Sequence, residues 1–207
     1  MRKRIGVVCV FLGVACLLSS VGFVLYNRWE DKNAGETAHA LLADVQSILE
    51  EKAADSDNPQ TFPTDTQQHP AEMATVQAGG YDCVGILSVP ALDLELPVLT
   101  DWSYAKLKKA PCRYYGTCYE KNFVIAAHNY PSHFGRLSQL QTGDLVLFTD
   151  VNGAVYDYEV ILLETLPKEA TEEMITGGFD LSLYTCTTGG GSRVTVRCNA
   201  VADGKIG

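Results

Sequence analysis

Cys186 and Arg193 stand seven positions apart, with Gly189, Gly190 and Gly191 between them. A thiol attacks carbonyl carbon as its thiolate, and a guanidinium beside it can stabilise the negative charge that develops. The stretch Asp180 to Cys198 is built to hold the two together. Leu181, Leu183 and Thr185 alternate up to Cys186, and Val194, Val196 and Cys198 alternate after Arg193. Two alternating runs joined by a glycine turn predict a β-hairpin. Arg197 lies four residues beyond Arg193, on the same strand face by alternation. Arg193 is nearer the turn and is the site candidate; Arg197 is expected to pair with a carboxylate.

A cysteine nucleophile needs a partner that takes and returns a proton. The chain has four histidines. His39 falls in a helical stretch and His69 in a polar tether, so neither is expected in a fixed site. His128 directly follows the apolar run Asn122 to Ala127, which predicts a rigid strand and makes His128 the expected partner of Cys186. His133, in the loop before Phe134, is expected at the surface or rim. No CxxC or His/Cys cluster has zinc-ligand spacing, so no metal is expected. Gly189 to Gly191 reads as a turn and not as a phosphate loop, and no cofactor is expected.

The elements around these residues are short. Cys83 to Pro90 and Leu94 to Leu99 predict two strands with a turn at Ala91 to Asp93. A short helix is expected over Tyr104 to Ala110, closed by Pro111. Phe134, Leu137 and Leu140 share one side of a helical segment. Asp144 to Thr149 and the run from Val155 predict a hairpin around Asn152-Gly153. Thr171 to Ile175 predicts a helical turn. Many short strands with few helices predict a mainly β barrel or sandwich.

Three regions follow from composition. Residues 1–28 hold a basic end, Arg2 to Arg4, and the uncharged Ile5 to Tyr26. As a helix that run is about 33 Å long, against a hydrocarbon core of about 30 Å. It is longer than a signal-peptide core and ends in Tyr26 and Trp29, which predicts a retained single-pass anchor. The basic end stays cytoplasmic, and everything after Arg28 lies outside the cell. Residues 29–80 form a stalk. Leu41, Leu42, Val45, Ile48 and Leu49 make one helical stripe, suited to self-association or to covering the chain's own domain. Asp55 to Gly80 has no apolar period and reads as a flexible tether. Residues 81–207 are the expected catalytic domain, expected to fold without what precedes it.

The net charge is −9, and residues 27–78 carry ten acidic and three basic side chains. This excludes a basic nucleic-acid-binding surface. The cysteines number seven, two of them in the apolar run, so pairing among the other five leaves a free thiol. Cys112 and Cys118 are near enough in sequence to be a disulfide candidate; the alternative is two partly buried thiols.

From Tyr81 onward the chain resembles the sortases, the surface-protein transpeptidases of Gram-positive bacteria. The run VIAAHNYPSHFGRLSQLQTGD resembles the family's apolar strand, histidine and following helix. The run LSLYTCTTGGGSRVTVR resembles its Thr-Leu-any-Thr-Cys signature, here Ser182-Leu183-Tyr184-Thr185-Cys186, with Arg193 opening the last strand. Ser182 departs from threonine but keeps a hydroxyl, and the segment between Cys186 and Arg193 is short. The subclass stays open. The resemblance implies an eight-stranded β-barrel with short helices. It implies that Cys186, His128 and Arg193 are catalytic and that Thr185 hydrogen-bonds the substrate peptide. It further implies cleavage of a sorting signal resembling Leu-Pro-any-Thr-Gly and transfer through a thioester to an amine. The partners implied are surface proteins bearing that signal, and a peptidoglycan precursor or a pilin lysine.

Other readings compete with this one. An L,D-transpeptidase would show a Ser-His-Gly-Cys run with arginine two residues after the cysteine. Here Tyr184 and Thr185 precede Cys186 and Arg193 is far beyond it. A thiol peptidase would use the same nucleophile with water as acceptor. An inactive anchored binding module would have no need of Cys186, His128 and Arg193 together.

Overall fold

The computed structural model describes residues 2–55 and 72–201. Most of the stretch read as a tether, 56–71 with His69, lies outside the described residues. The chain forms two compact units, Met1–Asn33 and Ala34–Gly207. The first belongs to α1 (Arg2–Asp55). Val10, Phe11, Leu17, Leu18, Phe23 and Leu25 of this unit are exposed. By length and composition α1 can cross a membrane.

The second unit is a barrel. Its strands are β1 (Val76–Ala78), β2 (Tyr81–Val89), β3 (Leu94–Leu99), β4 (Cys112–Tyr115), β5 (Phe123–Ala126), β6 (Leu145–Asp150), β7 (Val155–Pro167), β8 (Leu181–Cys186) and β9 (Ser192–Ala200), with short helices α2 (Tyr104–Leu107) and α3 (Thr171–Thr176). Neighbours run β1-β2-β3-β4-β5-β8-β9-β7-β6, and β6 pairs back onto β2. Eight strands, β2 to β9, therefore close on themselves, which removes the unpaired sheet edges. The strand β1 is an addition to the closed barrel, pairing with Tyr81 to Cys83.

Closure depends on Gly85. The register of β2 shifts between Cys83 and Gly85. Gly85 then pairs with Asp150 of β6. A Cβ at Gly85 would run into the Thr149 carbonyl oxygen and the Phe148 ring. Only a residue without a side chain lets β6 approach so closely.

Two apolar clusters hold the unit together. The larger fills the barrel with Leu87, Val98, Phe123, Ile125, Phe148 and Leu183 among others. Phe123 and Phe148 meet edge to face with centroids 5.0 Å apart. The smaller lies outside the barrel wall. Here Leu41, Leu42 and Val45 of α1 pack on Val76, Ile86, Leu99, Cys112 and Val151. Full burial of each such side chain contributes about 1.5–3 kcal/mol. Of the two uses open to the stripe, the structure shows it covering its own domain, and the compact unit starts at Ala34 rather than at Tyr81.

Two strands escaped the sequence reading. The strand β1 lies in the stretch read as tether, and β4 carries Cys-Arg-Tyr-Tyr, which has no alternation of apolar residues. Both are defined by their partners, β2 and β5. The helical segment expected from Phe134 to Leu140 is a single 3-10 turn, Leu137–Gln139, though Phe134, Leu137 and Leu140 are all buried as their spacing implied. Cys112 and Cys118 are both free and buried.

Candidate active site

Parallel pairing of β5 with β8 is the base of the site. The register sets Phe123 opposite Leu181 and Ala126 opposite Tyr184. The Ala127 amide donates to the Tyr184 carbonyl at 3.2 Å, which carries the pairing past the end of β5. His128 follows directly, two residues past the end of β5. On the other side of β8, Cys186 pairs with Arg193 of β9. Adjacent strands lie about 4.8 Å apart, and side chains at matched positions share a face. Cys186 and Arg193 therefore stand side by side on β8 and β9, and His128 stands just past the end of the neighbouring β5. All three line one groove, with Trp102, Tyr114, Tyr184 and residues of the β7–β8 connection.

The turn after Cys186 is closed by its own hydrogen bonds. The Thr187 amide donates to the Ser192 carbonyl at 3.0 Å, and the Gly190 amide to the Thr187 carbonyl at 2.8 Å. Gly189 and Gly190 have φ of 88° and 74°, a region glycine enters without strain. Arg193 Nη1 donates to the carbonyls of Gly190 at 3.3 Å and Ser192 at 3.2 Å. Those bonds fix the guanidinium beside the groove, and its five N–H donors exceed them in number.

Arg197 has a different place. It is 2% exposed. Its Nε donates to Glu164 Oε1 at 2.7 Å, its Nη1 to Ser182 Oγ at 2.9 Å and the Met174 carbonyl at 3.1 Å, and its Nη2 to the Glu173 carbonyl at 2.9 Å. Phe179 lies under the guanidinium at 5.0 Å. The expected carboxylate partner is Glu164. The bonds to Glu173 and Met174 tie α3, one wall of the groove, to the barrel. The bond from Nη1 to Ser182 Oγ gives a use to the serine at the head of the run Ser182 to Cys186.

Thr185 was assigned to the peptide from sequence. In the structure its side chain is buried and its hydroxyl donates to the Ala127 carbonyl at 2.9 Å. That bond joins the strand end bearing Cys186 to the strand end bearing His128. His133 was expected at the surface or rim; it is fully buried, with its ring 5.7 Å from that of Tyr130. Burial follows from the loop turning back, the His133 amide donating to the Tyr130 carbonyl at 2.8 Å.

The thiols separate by burial. Cys83 is pushed up to about 11, and Cys112, Cys118 and Cys198 to about 12, in each case first by burial, which disfavours the thiolate. These four stay protonated at neutral pH. Cys186 is half-buried and opens onto the groove.

The aromatic side of the groove was not read from sequence. Tyr114 meets Tyr184 edge to face at 5.4 Å and Trp102 at 5.6 Å, and Trp102 meets Tyr104 at 5.7 Å. These residues come from the loop after β3, from α2, β4 and β8, so no local pattern announces them. Among the described residues no group of three His, Cys, Asp or Glu side chains converges as metal ligands.

A family model for the sortase domain matches residues 87–201, more than half of the chain. No curated protein matches it in sequence. Solved structures share the fold. A sortase D5 transpeptidase from Clostridium perfringens superposes with a TM-score of 0.59 at 17% identity, covering 81% of this chain and 99% of that one. Sortase A from Corynebacterium diphtheriae gives 0.55 at 18% identity, covering 90% and 98%. Sortase C from Streptococcus pneumoniae gives 0.53 at 21% identity, covering 83% and 95%. With a closed eight-stranded barrel and the family's domain along most of it, the chain belongs to the sortases, a family of cysteine transpeptidases.

Proposed function

We propose that this sortase cleaves a sorting signal resembling Leu-Pro-any-Thr-Gly and passes the acyl group to an amine of a cell-wall precursor or a pilin, with Cys186, His128 and Arg193 as its catalytic residues. The observation that carries the reading is that Cys186 and Arg193, a cross-strand pair of β8 and β9, line one groove together with His128, two residues past the end of β5. Cys186 gives its thiol proton to His128, and its Sγ attacks the threonine carbonyl. The C–N bond to the following residue breaks, and His128 gives its proton to the leaving amine. The thioester keeps the acyl group activated, so ligation needs no nucleotide. An incoming amine then loses its proton to His128 and attacks the thioester, the C–S bond breaks, and His128 returns that proton to the departing sulfur. Arg193 donates to the oxyanion formed in each half-reaction. The Thr185 hydroxyl holds the two strand ends together by donating to Ala127, and its oxygen keeps acceptor capacity for an N–H of the peptide.

The first part of α1 is assigned to the membrane as a single-pass anchor. Its basic end would be cytoplasmic and its barrel outside, where surface proteins are attached. The length and apolar composition of the helix support this.

The test is incubation of the full chain in detergent with a library of sorting peptides and a panel of amines, read by mass spectrometry. A Cys186-linked acyl adduct that is discharged by an amine is the expected result. An adduct that persists in Cys186→Ala would overturn the assignment.

A further inference from the structure

His128 lies two residues past Ala126, the last residue of β5. Strand pairing therefore fixes its backbone but not the plane of its ring. A general acid and base must keep its ring turned toward the reacting nitrogen through both halves of the reaction. Something beyond β5 has to hold the imidazole.

The ring of Tyr130 stacks on it, with centroids 4.8 Å apart and planes inclined by 29°. A face contact restricts rotation of the imidazole while engaging neither ring nitrogen.

Tyr130 is itself held. Its carbonyl accepts from the amides of His133 at 2.8 Å and Gly135 at 2.9 Å, and the His128 carbonyl accepts from the Phe134 amide at 3.1 Å. The buried His133 ring packs against Tyr130, and Phe134 is fully buried in the barrel core. Behind the loop stands α1. A Cβ on Gly35 would lie 3.0 Å from Ser132 Cβ. Ala38, one turn on, is fully buried in the same cluster as Ala127 and Phe134, the residues that flank this loop.

We propose that Tyr130 is a positioning residue for His128, holding the imidazole through ring stacking, on a loop braced from behind by α1. This inference rests on the assignment of His128 as acid and base. Tyr130 touches the catalytic ring and not the reacting atoms, so its loss changes turnover more than peptide binding.

The test compares Tyr130→Leu with Tyr130→Phe in the full chain in detergent, by steady-state peptide transfer, thermal melting and the proton resonances of the His128 ring. Tyr130→Leu is expected to lower kcat by about 10–100-fold, the scale of a small misplacement of a catalytic group, with KM and the melting temperature little changed. Tyr130→Phe keeps the flat face and is expected to restore kcat. The His128 ring resonances are expected to shift in Tyr130→Leu and to stay in Tyr130→Phe. Should Tyr130→Leu fail to fold, Tyr130→Met keeps bulk without a flat face and carries the same expectation. An unchanged kcat in the Leu or Met variant, or an equal loss in Tyr130→Phe, would overturn the role. A His128→Gln chain that keeps wild-type turnover would instead sink the catalytic reading of His128, and the positioning role with it, while His128 resonances that still respond to Tyr130→Leu would leave the stack in place.

Discussion

Cys186 and Arg193 are a cross-strand pair, the last rung of the β8–β9 ladder before its turn. Their closeness is a property of the hairpin and not of flexible side chains. Cys186 and Arg193 therefore move as one unit, while His128 arrives from the end of a separate strand. Division of the site between a hairpin and a neighbouring strand makes its parts separable by mutation.

Replacing Cys186 with Ala removes the proposed nucleophile, and no acyl adduct with a sorting peptide should form. His128→Gln should lower turnover by about 10²–10⁴-fold, the usual contribution of a positioned acid and base. Intact-mass spectrometry and amine-transfer rates check both.

The two arginines should fail in different ways. Arg193→Ala should lower kcat strongly and leave the melting temperature nearly unchanged. Arg197→Ala leaves the half-buried Glu164 and two backbone carbonyls without their donor, a loss of about 1–3 kcal/mol. Arg197→Lys should not restore stability, because an ammonium cannot span the same forked set of acceptors. Paired melting curves and rates separate the cases, and a greater rate loss from Arg197→Ala with unchanged stability would reverse the assignment.

Truncation should show where the domain begins. A chain starting at Ala34 should fold as a soluble unit, whereas one starting at Tyr81 loses β1 and the α1 side chains that cover Ile86 and Leu99. The shorter product should be markedly less stable to urea. Val45→Asp in the longer product should reproduce much of that loss, since Val45 is fully buried.

The buried thiols predict both labelling and alkaline behaviour. At pH 8 a thiol alkylating agent should modify Cys186 before Cys83, Cys112, Cys118 or Cys198, as peptide mapping would show. Folding raises the last four from the ordinary 9.0 to about 11 or 12, so above pH 9 the unfolded state binds fewer protons than the folded one. Their contribution to stability is fully present below pH 9 and is lost as pH rises through 9 to 12. The urea midpoint should fall across that window, and a midpoint that rises there would contradict the burial of these groups.

The sequence by itself determined the hairpin, the apolar strand before His128 and the candidates they carry. Each is a local pattern: alternation of period two, a glycine turn, an apolar run ending at a histidine. The long apolar helix was legible for the same reason, since length and charge are local properties. The tertiary structure decided what local patterns leave open. It closed the barrel through Gly85, where the constraint is the approach of β6 and not any neighbour in sequence. It laid the Leu41 to Val45 stripe on the domain, a choice between partners that an amphipathic face cannot make alone. It buried His133 and stacked Tyr130 on His128, because the loop folds back through hydrogen bonds that composition does not reveal. It also separated Arg193 from Arg197. Alternation puts both on one face, but only the packing of α3 and Glu164 around one of them turns that residue into a structural tie and leaves the other beside Cys186.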